Sequence, residues 1–300
     1  MKQSLFLINF PRQYDHGYTQ AEAMDFARKN HFSGVEATNL AELSTPDLAA
    51  AERLRRTAEK CNLEIVCMSM GVRLECEDWR EQVEMLKRYV DVTCKLGAKM
   101  FHHTFVPTLG MKADEMPDYP SVRSQLLEAA TIVQRYAAKF GIKCVFEDQG
   151  FIVNGIHDYE DFYSSLPLPN KGVVSDFGNI YFYGETPAKF TSHFLHHIAH
   201  VHVKDYLIKP GGGQFPGRGW YLSKQGDYIR GTILGHGCID FVPIFRCLIR
   251  GGYDGWYSLE FDGLEDPFEA AVLGQENMIY YYDEAQRQLR SMTEIRLADK

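Results

Sequence analysis

The chain predicts a single-domain α/β protein of the (β/α)8 TIM barrel class, residues 1–300, with a long lid-like loop between strands seven and eight. Three observations carry that expectation. Short apolar runs, rich in β-branched or aromatic residues, alternate with amphipathic stretches of helical period. Glycines stand where a helix must stop before a strand, at Leu96-Gly97-Ala98, Phe140-Gly141-Ile142 and Gly251-Gly252-Tyr253-Asp254-Gly255. Four of the later runs break at an acid or a histidine, and the C-terminal strand ends are where such barrels build their sites. A doubly wound sheet would carry a glycine-rich first turn, whereas the first turn here is Asn9-Phe10-Pro11-Arg12-Gln13.

In order along the chain, residues 4–10 read as the first strand. A helix follows at 19–30, where Thr19 can cap and Glu22, three residues on, can return the bond. The second strand is 34–38. Residues 45–60 form a charged helix with Thr45 as cap and Pro46 at its first position. Strand three is 64–70, helix three 78–96, strand four 99–105, helix four 121–140 and strand five 143–147. A weaker helix at 159–165, a strand at 172–176, a helix around 187–196 and the strand 200–204 come next. The last strand is 255–261 and the closing helix 267–291. The long loop covers 205–240. Its middle, 220–234, alternates as a β-hairpin turning at Gln225-Gly226-Asp227. Arg218, Trp220, Tyr221, Tyr228 and Arg230 mark it as a lid over the site or a docking surface for another chain.

Composition narrows the function. Net charge is −8, from 32 basic and 40 acidic residues, which argues against a nucleic-acid partner. Seven scattered cysteines without a Cys-x-x-Cys pair suit reduced thiols. The N-terminus lacks a basic region followed by a long apolar stretch, and no apolar run approaches the ~20 residues that span a bilayer. A cytoplasmic location without membrane contact is expected.

The four polar strand ends are Val145-Phe146-Glu147-Asp148, Val174-Ser175-Asp176-Phe177, His200-Val201-His202-Val203-Lys204-Asp205 and Tyr257-Ser258-Leu259-Glu260. A buried carboxylate is expensive unless a cation or hydrogen bonds compensate it. Four in series point to one shared metal site built from Glu147, Asp176, His202 and Glu260. Three oxygens and one imidazole suit Mn²⁺ first, and also Mg²⁺, Co²⁺ or Zn²⁺. The absence of cysteine argues against a structural zinc. Four protein ligands leave positions for two oxygens of a sugar or water, and proton removal beside a carbonyl then needs a base such as Glu147 or Glu260. His200, His202 and Lys204 share one strand face. Lys204 is placed either at the substrate rim or in an outer pair with Asp205. His102 and His103 must face opposite ways, and His103 is taken as the substrate contact. Glu36, at the end of strand two, contacts substrate hydroxyls or an active-site histidine. His236, Arg218 and Trp220 lie on the active-site side and are further substrate contacts. Tyr280-Tyr281-Tyr282 cannot all face one side of a helix, so an oligomer contact there, or through 205–240, with a second copy or another chain, is an expectation.

With these residues in view, the chain resembles the xylose-isomerase-like barrel superfamily, and within it the sugar phosphate isomerase/epimerase group. The matching elements are Phe-Glu at strand five, Ser-Asp-Phe-Gly-Asn at strand six, His-Val-His-Val-Lys-Asp at strand seven and Ser-Leu-Glu at strand eight. Gly34-Val35-Glu36, Gly235-His236-Gly237-Cys238-Ile239-Asp240-Phe241 and Gly252-Tyr253-Asp254-Gly255-Trp256 extend the match over nearly the whole chain. Many relatives carry glutamate where this chain has His236, and ketohexose epimerases carry histidine where it has Asn179, a candidate substrate contact. The resemblance implies that Glu147 and Glu260 are ligands that also exchange protons, through a metal-stabilised enediolate, in a sugar isomerase or epimerase. An alternative is a lyase or dehydratase on oxidised sugars, like inosose dehydratase or a 3-oxo-C-glycoside deglycosidase. A third reading, an abasic-site endonuclease, needs a trinuclear zinc site and a basic groove, against which the acidic charge counts.

Overall fold

Side chains on a strand alternate, so a strand covered on both sides must be apolar throughout except where it leaves the core. β2 (Gly34–Thr38) is buried along its whole length, and its neighbours follow the same pattern. The computed structural model describes residues 1–106 and 117–298. Its strands are β1 (Lys2–Phe6), β2, β3 (Glu64–Met70), β4 (Met100–His103), β5 (Lys143–Glu147), β6 (Lys171–Asp176), β7 (Ile198–Val203), β8 (Asp205–Lys209), β9 (Tyr221–Leu222), β10 (Tyr228–Thr232) and β11 (Trp256–Leu259). Seven consecutive strands and β11 close a parallel barrel in the order β1-β11-β7-β6-β5-β4-β3-β2. Helices α1 (Pro11–Tyr14), α2 (Gln20–Lys29), α3 (Leu48–Lys60), α4 (Trp79–Leu96), α5 (Tyr119–Ala138), α6 (Ile156–Ser165), α7 (Pro187–Phe194), α8 (Phe241–Arg250) and α9 (Pro267–Ala298) connect or surround the strands. Among the described residues no helix is long and apolar enough to cross a membrane.

The local signals explain most boundaries. Thr19 and Glu22 form the expected reciprocal capping box at α2. Gly97 (φ 82°) and Gly141 (φ 68°) adopt the left-handed conformation that lets α4 and α5 end against the next strand. Elsewhere the expectation was displaced. The first strand stops at Phe6 and continues as a 3-10 turn over Leu7–Asn9. α3 starts at Leu48, not at Pro46, because the Asp47 carboxylate accepts from the Ala49 and Ala50 amides and is the stronger cap. Of α8 only the glycine stop at Gly251 was expected, and its span was not.

The barrel has two cores. A large one lies between strands and helices and includes Phe10, Phe101, Phe146, Phe162, Phe177 and Phe245. A small one lies inside the barrel, where Cys67, Val145 and Val174 pack with Met100, Ala199 and Trp256. In α9, Tyr281 and Tyr282 pack on Phe241, Phe245 and Tyr257, while Tyr280 is 61% exposed.

The 205–240 segment is a small antiparallel sheet in the order β8-β10-β9. The expected hairpin is its β9–β10 half, with Gly226 at φ 91°, and β8 adds a third strand. One carboxylate fastens the neck of this insertion. Asp205 accepts from the amides of Tyr206 (2.8 Å) and Ile239 (3.2 Å) at Oδ1, and of Gly235 (2.9 Å) and Gly237 (2.8 Å) at Oδ2. A Cβ on Gly237 would fall 2.1 Å from Asp205 Oδ1, so only glycine fits. Asp205 therefore faces away from Lys204 and makes no pair with it.

Candidate metal and active site

Inward alternation puts the polar residue of each strand end at one depth in the barrel mouth. Two register shifts, between Val35 and Glu36 and between Val173 and Val174, fall on strands that feed this mouth, as bulges beside sites commonly do. Glu147, Asp176, His202 and Glu260 converge there, each offering a ligand atom within 4.8 Å of the others. His202 Nδ1 lies 2.5 Å from Glu147 Oε1, 3.4 Å from Glu260 Oε2 and 3.9 Å from Asp176 Oδ2. Asp176 Oδ1 accepts from the Gly178 and Asn179 amides at 2.7 and 2.6 Å. Asp176 Oδ2 and Glu260 Oε2 are buried without a hydrogen-bond partner. Orphaned carboxylate oxygens beside an imidazole nitrogen are what a divalent cation would satisfy, so the residues present fit such an ion.

The second ring nitrogen of His202 is held from behind. Nε2 stands 3.1 and 3.2 Å from the Glu36 carboxylate, which also meets His200 Nε2 at 2.7 Å and accepts from Ser69 Oγ. A carboxylate that takes the far N–H of a ligating histidine fixes its tautomer and ring orientation. Glu36 is fully buried, does not line the cavity, and makes its contacts to His200, His202 and Ser69.

Electrostatics follow from burial and spacing. Burial alone would raise Glu36 and Glu147. Burial is the largest single influence on each, but His202 and His200 together hold Glu36 well below the usual carboxylate range, and His202, His102 and Lys204 together hold Glu147 at about 2. Burial lowers His202, but Glu36 and Glu147 together push it well above its ordinary value. Asp176 is lifted by burial to about 6 against the pull of Lys204, and burial raises Glu260 well above the usual carboxylate range. Lys204 points inward, with Nζ 2.8 Å from Glu260, 3.2 Å from Asp176 and 3.3 Å from Asp262.

A cavity of about 210 Å³ opens above this cluster, walled by Phe6, Thr38, Ser69, His102, Glu147, Gln149, Glu260 and Asp262 among others. Several of its polar atoms make no hydrogen bond: Thr38 Oγ1, both ring nitrogens of His102, Gln149 Oε1 and Glu260 Oε2. Such a lining asks for a ligand with many hydroxyls or carbonyls.

The remaining expected contacts lie elsewhere. His103 faces the helix layer, donates from Nδ1 to the Thr104 carbonyl (2.8 Å) and packs among Phe101, Phe105 and Phe146. His102 is the inward member of the pair, 3.7 Å from Glu147. Asn179 is buried and supports Asp176 through its main chain. His236 is exposed between the two amides pinned by Asp205, and Arg218 is exposed on the insertion. Trp220 lies between Lys209 and Arg230, 5.2 and 5.4 Å from its ring centre. His103, Asn179, His236, Arg218 and Trp220 do not line the cavity. Asp262 was missed, although it stands two residues beyond Glu260 and so shares its face. Thr38, Ser69 and Gln149 carried no distinguishing signal in the sequence.

Comparison with known proteins agrees with this architecture. A curated inosose dehydratase of Clostridium botulinum (strain Alaska E43 / Type E3) is 22% identical over 291 residues, 87% of this chain and 93% of that protein. The solved structure of an L-ribulose 3-epimerase has a TM-score of 0.73 at 16% identity, covering 96% of this chain and 97% of that one. The IOLI protein with a bound zinc atom gives 0.73 at 15% identity, covering 95% and 99%. The profile of the xylose isomerase-like TIM barrel family matches residues 24–280. The chain is a member of the xylose isomerase-like TIM barrel family.

Proposed function

We propose that this protein moves a proton next to the carbonyl of a small polyhydroxylated ketone, so isomerising or epimerising a sugar, with a divalent cation held by Glu147, Asp176, His202 and Glu260. The observation that carries the reading is that two carboxylates, Glu147 and Glu260, wall one small cavity beside the buried Asp176 and His202. When bound, the cation supplies Lewis-acid polarisation of the carbonyl, and Mn²⁺ is the ion we favour for this oxygen-rich donor set. Glu147 rises from β5 and Glu260 follows β11, with β6 and β7 between them in the barrel order. One carboxylate takes the proton from carbon and the other returns a proton from its own side. Lys204 holds Glu260 by Oε1, leaving Oε2 for that exchange or for the cation. Groups of Thr38, His102 and Gln149 that make no hydrogen bond are open to the sugar hydroxyls.

A second reading keeps the same proton abstraction and adds loss of water. It is favoured by His102, a buried histidine held neutral near pKa 4 by desolvation, whose N–H can serve a departing hydroxyl. The similarity to an inosose dehydratase over most of both chains supports it as well. Incubating the metal-loaded enzyme with ketoses and inososes in D₂O and following products by NMR tests both. Deuterium at a sugar carbon with the skeleton intact supports isomerisation, and release of water with a new unsaturated ketone supports elimination. Absence of exchange with every ketone would refute the shared step.

A further inference from the structure

We propose that the reacting sugar carries a substituent ring, and that a second cavity adjoining the first receives it; this deepens the reading above and rests on it. The second cavity, about 290 Å³, lies between the β1–α1 turn, the segment after β11 and the inserted sheet. It shares two wall residues with the first, Ile8 and Asp262. Small-molecule sites run to ~300–1,000 Å³, and the first chamber, about 210 Å³, falls short of that range.

The walls specify the chemistry. Tyr221 enters from β9 and is braced edge-on by Phe182, ring centres 6.0 Å apart. Leu264, 49% exposed, lines the same chamber. Tyr221 and Leu264 offer a flat apolar surface of the kind on which a ring stacks. Polar groups edge it: Gln13 Oε1 is buried without a partner, and the Arg12 guanidinium is exposed. At the junction, Asp262 Oδ2 accepts from Tyr206 Oη (2.7 Å) and Lys204 Nζ (3.3 Å), which leaves Oδ1 to accept from a hydroxyl beside the linkage. The fitting ligand is a glycoside whose second ring has an apolar face and a polar edge, either an aromatic aglycone or another sugar. The inserted sheet then serves as one wall of the substrate site through Tyr221.

Binding decides this independently of turnover. Saturation-transfer NMR and calorimetry on the Mn²⁺-loaded protein would compare glucose, phenyl β-glucoside and cellobiose. Wild type is expected to bind at least one glycoside about tenfold tighter than glucose, with saturation reaching the second ring. A stronger phenyl glycoside identifies an aromatic substituent, and a stronger cellobiose a second sugar. Tyr221→Ala and, at an exposed position that leaves folding intact, Leu264→Asp should each cut that preference to less than about threefold. Equal affinity for glucose and both glycosides in wild type, or an unchanged preference in both variants, would overturn the proposal. A glycoside preference without deuterium exchange on any ketone would sink only the reaction proposed above, and exchange without the preference only the second chamber.

Discussion

The lower and upper halves of the barrel interior are made by the same strands and differ by two residues along each. Cys67 precedes Ser69 on β3, Val145 precedes Glu147 on β5, and Val174 precedes Asp176 on β6, always on the inner face. The lower residues form a dry plug with Met100, Ala199 and Trp256 and stabilise the barrel by apolar burial. Around the upper ones gather the carboxylates of Glu36, Glu147, Asp176 and Glu260, the imidazoles of His102, His200 and His202, and the Lys204 ammonium, and such groups oppose folding unless neighbours or a cation neutralise them. A few ångströms along one strand therefore separate the part that holds the fold from the part the fold must hold.

The sharpest test is to remove charge from the upper half only. Glu147→Gln and Glu260→Gln should each lower proton-exchange turnover by about 10²–10⁴-fold. In the metal-free protein Glu260→Gln should show a Tm equal to or above wild type, because burial disfavours its charge, whereas Glu147→Gln should lower Tm, because its charge compensates the buried His202; a large fall in Tm for Glu260→Gln would erase the contrast between the halves.

Cation removal comes next. A chelator should abolish exchange, and resupply at a hundredfold over Kd should raise stability by about 2.7 kcal/mol. The size of that gain depends on pH. Asp176 binds its proton more tightly when folded, at about 6, than in its ordinary range near 3.8. Its contribution to the metal-free protein is full below about pH 4 and is lost as pH rises through 6. The cation takes the proton's place, so the metal-induced rise in Tm should grow between pH 4 and 7, as paired melts at each pH would show.

Glu36→Gln reaches the site through His202 and through Ser69. It should weaken cation affinity by about 10–100-fold by competition titration, with exchange recovered at saturating metal. The mildest change concerns the plug. Val174→Ala should reduce stability by about 2 kcal/mol in urea unfolding, for two lost methyl groups and the space they leave, with kcat unaltered.

The barrel was legible because a two-sided strand and a glycine-stopped helix each have a local cause. Glu147, Asp176, His202 and Glu260 were legible because each is an ionisable residue ending an apolar run. The pair His102 and His103 shows the limit. Alternation says that they face apart, but which enters the barrel depends on pairing with Ser69 and Met70 across β3, a fact held in another segment. The span of α8 escaped notice because Pro243 reads as a breaker; at the third helical position it removes an amide that has no intrahelical partner anyway. The contacts placed on the insertion, Arg218, Trp220 and His236, rested on composition, and composition does not give the direction of a side chain. Tyr221 beside them lines the second cavity.

Asp205 has a consequence for how this chain can change. By tying the entry and exit of the 207–234 excursion with four amide bonds to one carboxylate, it makes the insertion a module with its own seam. Lengthening, trimming or exchanging the strands outside that seam would leave the cation ligands in register, so the barrel could acquire new ligand preferences without rebuilding its chemistry.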